Sequence, residues 1–202
     1  SLALAWTAPG FDDSSWRAGP TGVGFDRAAD YLPLIATNLE SEMYTLRSSA
    51  YVRLRFSVPD PSAYAELALL MKYDDGFAAY LNGVFVAARN APQAPVWNSG
   101  ATASRDEALA VVYERIDLPG AAGLLAAGEN VLAIHGLNSS AASVDFLIVP
   151  AVEAVTREEI RGIAIERTTT VRARAWTGSA WSALAEAVFR VLRPIDALRI
   201  TE

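Results

Sequence analysis

Two adjacent carboxylates, Asp74 and Asp75, stand against a glycine in the stretch YDDGFAAYLNGVFVAARN, residues 73–90. Paired acids are what general acid/base hydrolysis uses, and acidic loops hold calcium. Both chemistries need the oxygens to converge. Neighbouring residues of a strand point to opposite faces, so this pair serves one reacting centre poorly. A calcium loop needs further oxygens at alternating positions, and Gly76-Phe77-Ala78-Ala79 supplies no side-chain oxygen. The favoured reading is that one aspartate accepts backbone N–H bonds in a turn while the other faces water.

His135 is the single histidine. Ser139, Ser140, Ser143 and Asp145 follow it, so the residue types of a Ser-His-Asp triad are present. The Gly-x-Ser-x-Gly elbow that exposes a nucleophile is absent. One histidine also cannot build a histidine-based zinc site without carboxylates. His135 lies within a strand pattern, and a hydrogen-bonded histidine of a β-sandwich is the expectation. No phosphate-cradling glycine loop occurs. Gly19-Pro20-Thr21-Gly22-Val23-Gly24 is glycine-rich but precedes no helix.

Aromatic residues offer a different chemistry. Five Trp accompany seven Tyr and seven Phe. Sugar recognition sets an aromatic face against the apolar face of the ring and polar groups against its hydroxyls. Arg89 and Asn90, followed by Pro92, Pro95, Trp97 and Asn98, supply both in one loop. The candidate ligand residues are Tyr44, Arg89, Asn90, Trp97 and Asn138. The simpler alternative is that Trp97 plugs one end of a sandwich. In Asp12-Asp13-Ser14-Ser15-Trp16 the acids and serines read as local turn caps. Asp12, Asp13 and Asp26 are the weaker candidates for a structural calcium, and no other cofactor is expected.

The elements that must position these groups are strands. Residues 51–58 alternate in part and stop at Pro59-Asp60-Pro61. Residues 65–73 form a continuous apolar run of strand length. Residues 77–81 and 84–88 flank Asn82-Gly83, the pair favoured in a two-residue hairpin turn with positive φ at both positions. Residues 111–118, 131–137 and 144–149 are further strands, and 120–130 suggests a helical turn. This spacing, with few helices, predicts an all-β antiparallel sandwich. After Pro150 the texture changes. Residues 168–176 alternate, Thr177-Gly178-Ser179-Ala180 turns the chain, and 185–191 completes a second hairpin.

With 202 residues and 52% hydrophobic content the chain can bury a core. A net charge of −6 argues against nucleic acid as partner. No apolar stretch is long enough to span a membrane as a helix. Without cysteine there is no disulfide, thiolate metal site or Cys nucleophile. Both ends read as cuts within a longer protein.

In order along the chain, Phe11-Asp12-Asp13-Ser14-Ser15-Trp16, Gly22-Val23-Gly24-Phe25, residues 51–56, Asp74-Asp75-Gly76-Phe77 through Gly83, 128–136 and Ser143-Val144-Asp145-Phe146 resemble a galactose-binding-like jelly roll. Residues 163–176 with Trp181-Ser182 are similar to the last strands of chitobiase-type immunoglobulin-like modules. Such modules stand beside lamin-tail and spore-coat-protein-H-like domains in exported bacterial proteins, and Leu198-Arg199-Ile200-Thr201-Glu202 looks like the first strand of a lamin-tail domain. The expected organisation is a jelly-roll sandwich over 1–153, a partial immunoglobulin-like β module over 154–195, and the start of a further domain or linker over 196–202. The resemblance implies a secreted or cell-surface, non-catalytic module that binds carbohydrate or mediates adhesion, its partners a glycan or neighbouring protein domains. A structural spacer or self-assembling homo-oligomer is the alternative, and a hydrolase centred on His135 or the aspartates stands behind both.

Overall fold

The computed structural model describes residues 4–157, 167–176 and 178–190. The chain divides into two compact units, Ser1–Arg157 and Glu158–Glu202. The first is an all-β sandwich, as the strand spacing predicts. One sheet has five strands: β1 (Val23–Asp26), β2 (Thr37–Asn38), β4 (Tyr64–Asp74), β7 (Glu114–Leu118) and β9 (Asp145–Thr156), in the order β2-β1-β9-β4-β7. The other has four: β3 (Ser49–Val58), β5 (Gly76–Leu81), β6 (Val84–Arg89) and β8 (Gly128–Leu137), in the order β3-β8-β5-β6. Thus β2 and β3 are edge strands of different sheets. The helices are single turns, α1 (Glu40–Met43) and α2 (Glu107–Ala110), with short 3-10 segments.

Two observations explain the long apolar runs. The inner faces of both sheets build one core, with Phe25, Leu69, Met71 and Phe146 meeting Phe77 and Ile134. The outer face of the four-stranded sheet is also covered: Trp6 packs on Ala78, Tyr80, Val131 and Ala133, with Phe11 and Trp16 beside it. Strand β5 is therefore buried at every position, and β8 from Asn130 onward. A strand buried on both faces reads as a run rather than an alternation. The N-terminal segment is the lid that makes this so. At Gly24 the two strands β1 and β9 approach so closely that an added Cβ would stand 2.0 Å from the Phe146 carbonyl oxygen.

The Asn82-Gly83 hairpin forms as expected, with φ of 50° and 88°. Asn82 does more than turn the chain. Its Oδ1 accepts from Val131 N at 2.8 Å, and its Nδ2 donates to Leu124 O at 2.8 Å and to Asn130 Oδ1 at 2.7 Å. Asn130, fully buried, also accepts from Ala126 N and donates to the carbonyls of Ala126 and Gly128. Both side-chain amides are saturated, as burial requires.

Some boundaries differ from expectation. Residues 107–110 form α2, capped by Asp106, and β7 begins only at Glu114 rather than at 111. The helical turn expected within 120–130 is a 3-10 segment, Ala121–Leu124. Strand β9 continues through Thr156, past the boundary expected at residue 153. In the second unit β10 (Thr169–Ala173) pairs with β11 (Ala185–Phe189), and Trp176 and Trp181 form an isolated bridge with ring centroids 5.0 Å apart. Residues 163–166, Thr177 and the 196–202 segment lie outside the described residues.

The Asn82–Asn130 pair gives the first test. Asn130→Ala strips a buried loop of its partners and is expected to cost about 3 kcal/mol in urea unfolding of the sandwich. Val84→Ala, at an exposed position of the same hairpin, should stay within about 0.5 kcal/mol.

Candidate functional site

The Asp74–Asp75 pair lies at the crossing from β4 to β5, joined by a cis peptide bond. Both carboxylates are buried, at 3% and 4% exposure, so the expectation that one faces water is corrected. The backbone role is real but reaches farther than a local turn. Asp75 Oδ1 accepts from Arg105 N at 2.9 Å and Oδ2 from Ser139 N at 2.7 Å. Its main chain donates to Leu137 O and accepts from the Asn90 side chain. One carboxylate thus ties together two loops distant in sequence. Asp74 has no such donors, and its Oδ2 is buried without a partner. Burial first, then the facing carboxylates of Asp75 and Asp145, push its pKa up to about 9. Its surroundings favour the protonated, neutral form.

His135 is 2% exposed and packs against Tyr51, ring centroids 4.6 Å apart, and edge-on to Trp6. Burial lowers its pKa to about 4. Its Nε2 has no hydrogen-bond partner, contrary to the hydrogen-bonded histidine expected. No serine or carboxylate is bonded to it among the described residues.

The sequence candidates separate in space. Arg89 Nε donates to Glu114 Oε1 at 2.6 Å. Glu114 also accepts from the Tyr73 hydroxyl at 2.7 Å and from Arg105 at 3.1 Å, while the Arg105 guanidinium lies 3.8 Å from the centre of the Tyr73 ring and also bonds its hydroxyl. Burial works against ionisation of Glu114, but the Tyr73 hydroxyl and the two arginines outweigh it and hold the carboxyl below its ordinary range. Asn90 supports Asp75, and its carbonyl accepts from Thr102 N. Asn138 is buried, with its amide donating to Asp145 O at 2.7 Å. Arg89, Asn90 and Asn138 thus spend polar atoms on the protein itself, Arg89 from a side chain that is still 40% exposed. Tyr44 lies under Arg27 beside a small concavity of about 420 Å³.

Trp97 is different. It lies on the rim of a groove of about 1020 Å³ at the flank of the sandwich, where the edge strands β2 and β3 leave the two sheets open. The floor is apolar, from Val23, Leu39, Met43, Ala50 and Val52. One wall is aromatic: Trp16 and Tyr51, stacked on each other with centroids 6.4 Å apart and backed by Trp6 at 4.3 Å from Tyr51. Trp97 is 66% exposed, yet its loop is pinned. Asn98, with φ of 62°, donates its N–H to Ser49 Oγ at 3.0 Å, and its Oδ1 and O accept from Ser48 N and Oγ at 2.7 Å each. An exposed indole is therefore held out by a buttressed backbone.

The other groove residues escaped the sequence reading. Tyr51, Arg53 and Arg55 alternate along β3 and share its outer side, a period-2 signal that was legible. Arg17, Glu42 and Arg47 come from elsewhere and carried none.

The calcium candidates have other partners. Asp13 binds Arg53 at 2.7 Å and Arg55 at 2.6 Å, and these bonds hold its carboxyl below the usual range. Asp12 caps Ser14 N, as turn capping predicts. Asp26 accepts from the backbone N–H groups of Ala28, Ala29 and Tyr31. No group of three or more acidic or histidine side chains is placed to hold a metal among the described residues.

Asp74 gives a pH test. A raised carboxyl pKa means that the folded state keeps a proton that the unfolded chain loses above about 3.8. Its contribution is full below that value and is lost progressively as pH rises to about 9. Asp74→Asn mimics the protonated acid. Its stability relative to the natural chain should therefore rise between pH 5 and pH 8, by at most about 1.4 kcal/mol per pH unit in urea unfolding.

No protein-family model and no curated protein matches the sequence. Among solved structures, the chain is similar to an α-L-rhamnosidase of Streptomyces avermitilis over 55% of this chain and 9% of that one, at 17% identity and a TM-score of 0.38. It is similar to a calcium-binding mutant of Bacteroides uniformis β-glucuronidase 2 over 71% of this chain and 16% of that one, at 14% identity and a TM-score of 0.38. A Bacteroides vulgatus β-glycosidase is matched over 91% of this chain and 25% of that one, at 12% identity and a TM-score of 0.36. The chain thus spans a quarter or less of the length of each of these three.

Proposed function

We propose that the sandwich is a non-catalytic carbohydrate-binding module and that the flank groove between β2 and β3 is its site. The observation that carries this reading is the pinned, two-thirds-exposed Trp97, which lines the same groove as the Trp16–Tyr51 stack. Pyranose rings present apolar C–H faces to such surfaces, and their hydroxyls need donors and acceptors nearby. The groove supplies those from Arg17, Glu42, Arg47, Arg55 and Asn98. Its volume suits an oligosaccharide rather than a single sugar. The free edge of β3 adds backbone groups with no ladder partner on that side.

Preorganisation favours binding here. An aromatic ring on a loop already fixed by hydrogen bonds loses little freedom when a ligand docks. The resemblance to galactose-binding-like jelly rolls in exported proteins is in keeping with this role and with an extracellular setting. A hydrolytic role has less support. His135 is buried and lacks a bonded nucleophile, and Asp74 and Asp75 are enclosed by loops.

The test is a glycan array followed by calorimetry on the hits, with the natural chain and Trp97→Ala. The substitution should weaken binding by about 2 kcal/mol, roughly thirty-fold, while leaving thermal stability unchanged because the indole is exposed. Unaltered glycan binding by Trp97→Ala would remove this groove as the site.

A further inference from the structure

The protein carries a net charge of −6, yet the groove is lined by four arginines, Arg17, Arg47, Arg53 and Arg55, against two carboxylates, Asp13 and Glu42. Most of these charges are matched. Asp13 is shared by Arg53 and Arg55, and Arg55 is matched again by Glu129 at 2.7 Å. Glu42 is met by Arg17 at 2.6 Å. Arg47 is left over. It is exposed, its one side-chain hydrogen bond goes to the Glu42 backbone carbonyl at 3.1 Å, and no carboxylate pairs with it among the described residues. It also sits next to Ser48, which is bonded to Asn98, so Arg47 and Trp97 flank the same clamp.

We propose, resting on the carbohydrate reading above, that the ligand is an acidic oligosaccharide and that Arg47 receives its carboxylate or sulfate. A guanidinium in open water needs no partner. Once a bound chain covers the groove, it loses that water, and a neutral sugar returns only part of the lost interaction. An anionic oxygen pair returns it in full, in the bidentate geometry that a guanidinium fork matches. Trp97 takes the apolar face of a ring, and Arg47, on the other side of the clamp, takes the charged substituent of the same or the adjacent sugar. The arginines that are already paired set the local field and are less available for this contact.

The experiment measures binding to the full chain by calorimetry with matched pairs of probes. One pair is an oligogalacturonate and its carboxyl-reduced neutral form. The other is a sulfated galactan oligosaccharide and its desulfated form. The acidic member of at least one pair should bind about tenfold tighter than its neutral partner, and the preference should shrink as salt is raised. Which pair shows it identifies the anion as carboxylate or sulfate. Arg47→Gln should abolish the preference, weakening the acidic forms about tenfold more than the neutral ones, and Arg47→Glu should invert it. Thermal unfolding of both variants should match the natural chain, since the side chain is exposed. Equal binding of charged and neutral forms overturns the inference and leaves the carbohydrate reading standing. Binding of neither overturns both. Equally tight binding of an oligoglutamate peptide would make the groove an acidic-peptide site instead, and so also overturns it.

Discussion

The sandwich depends on one buried carboxylate whose bonds go to the backbone of distant loops. Asp75 accepts the backbone N–H groups of Arg105 and Ser139, takes the Asn90 amide on its carbonyl, and donates to Leu137 O. Long loops over a sandwich carry backbone donors that burial leaves without water, and each needs an acceptor. A buried carboxylate offers two strong ones at once. From this knot the loop beyond β6 is stitched onward: Thr102 N to Asn90 O and Ala101 N to Asn138 O. The same loop is then caught at Asn98 by Ser48 and Ser49. Trp97 stands out rigidly because the chain on one side of it is clamped and leads back to Asp75. Of the acidic pair that looks like a reaction centre, Asp75 thus acts by positioning the loop that carries Trp97.

The groove follows from a second constraint. Two sheets of unequal order leave β2 and β3 as edges on one flank, and edges expose both backbone and side chains. Here the N-terminal segment and α1 wall that flank instead of closing it. Trp6 buries and stiffens Tyr51, so the aromatic wall is an extension of the packed outer layer. Arg53, almost fully buried, donates to the Ala8 and Trp6 carbonyls and to Asp13, and so fastens that segment to β3. Hydrophobic packing, ion pairing and the site's geometry are therefore one arrangement.

Much of the fold was legible in the sequence. Asn82-Gly83 announces its hairpin because few other pairs accept two positive φ values, and the apolar runs 65–73 and 131–137 announce strands. The alternation rule failed at Asp74 because it assumes a solvated outer face. The segments of Tyr31 and Ala110, 43 and 36 residues from Asp74, pack with Leu147, its cross-strand partner, and no local pattern reports them. Arg89 and Asn90 looked like ligand residues for the same reason: their partners, Glu114 and Asp75, are 25 and 15 residues away. The groove draws on residues 13–23, 37–55 and 97–98, so only Trp97 stood out as a single residue. The Tyr51-Arg53-Arg55 alternation was visible as a half-buried strand, but its outer side becomes a wall only once Trp16 is folded against it.

On the proposed carbohydrate-binding reading, ligand meets the protein on the flank of the sandwich, at β3 and the Trp97 clamp. NMR with isotope-labelled protein, titrated with a bound oligosaccharide, tests it directly. The largest shift changes are expected at the Trp97 and Trp16 indole N–H signals and at the amides of Arg47 to Tyr51, with Trp176 and Trp181 unmoved. Changes centred on Arg89 and Asn90, or on the Trp176–Trp181 pair, would contradict it.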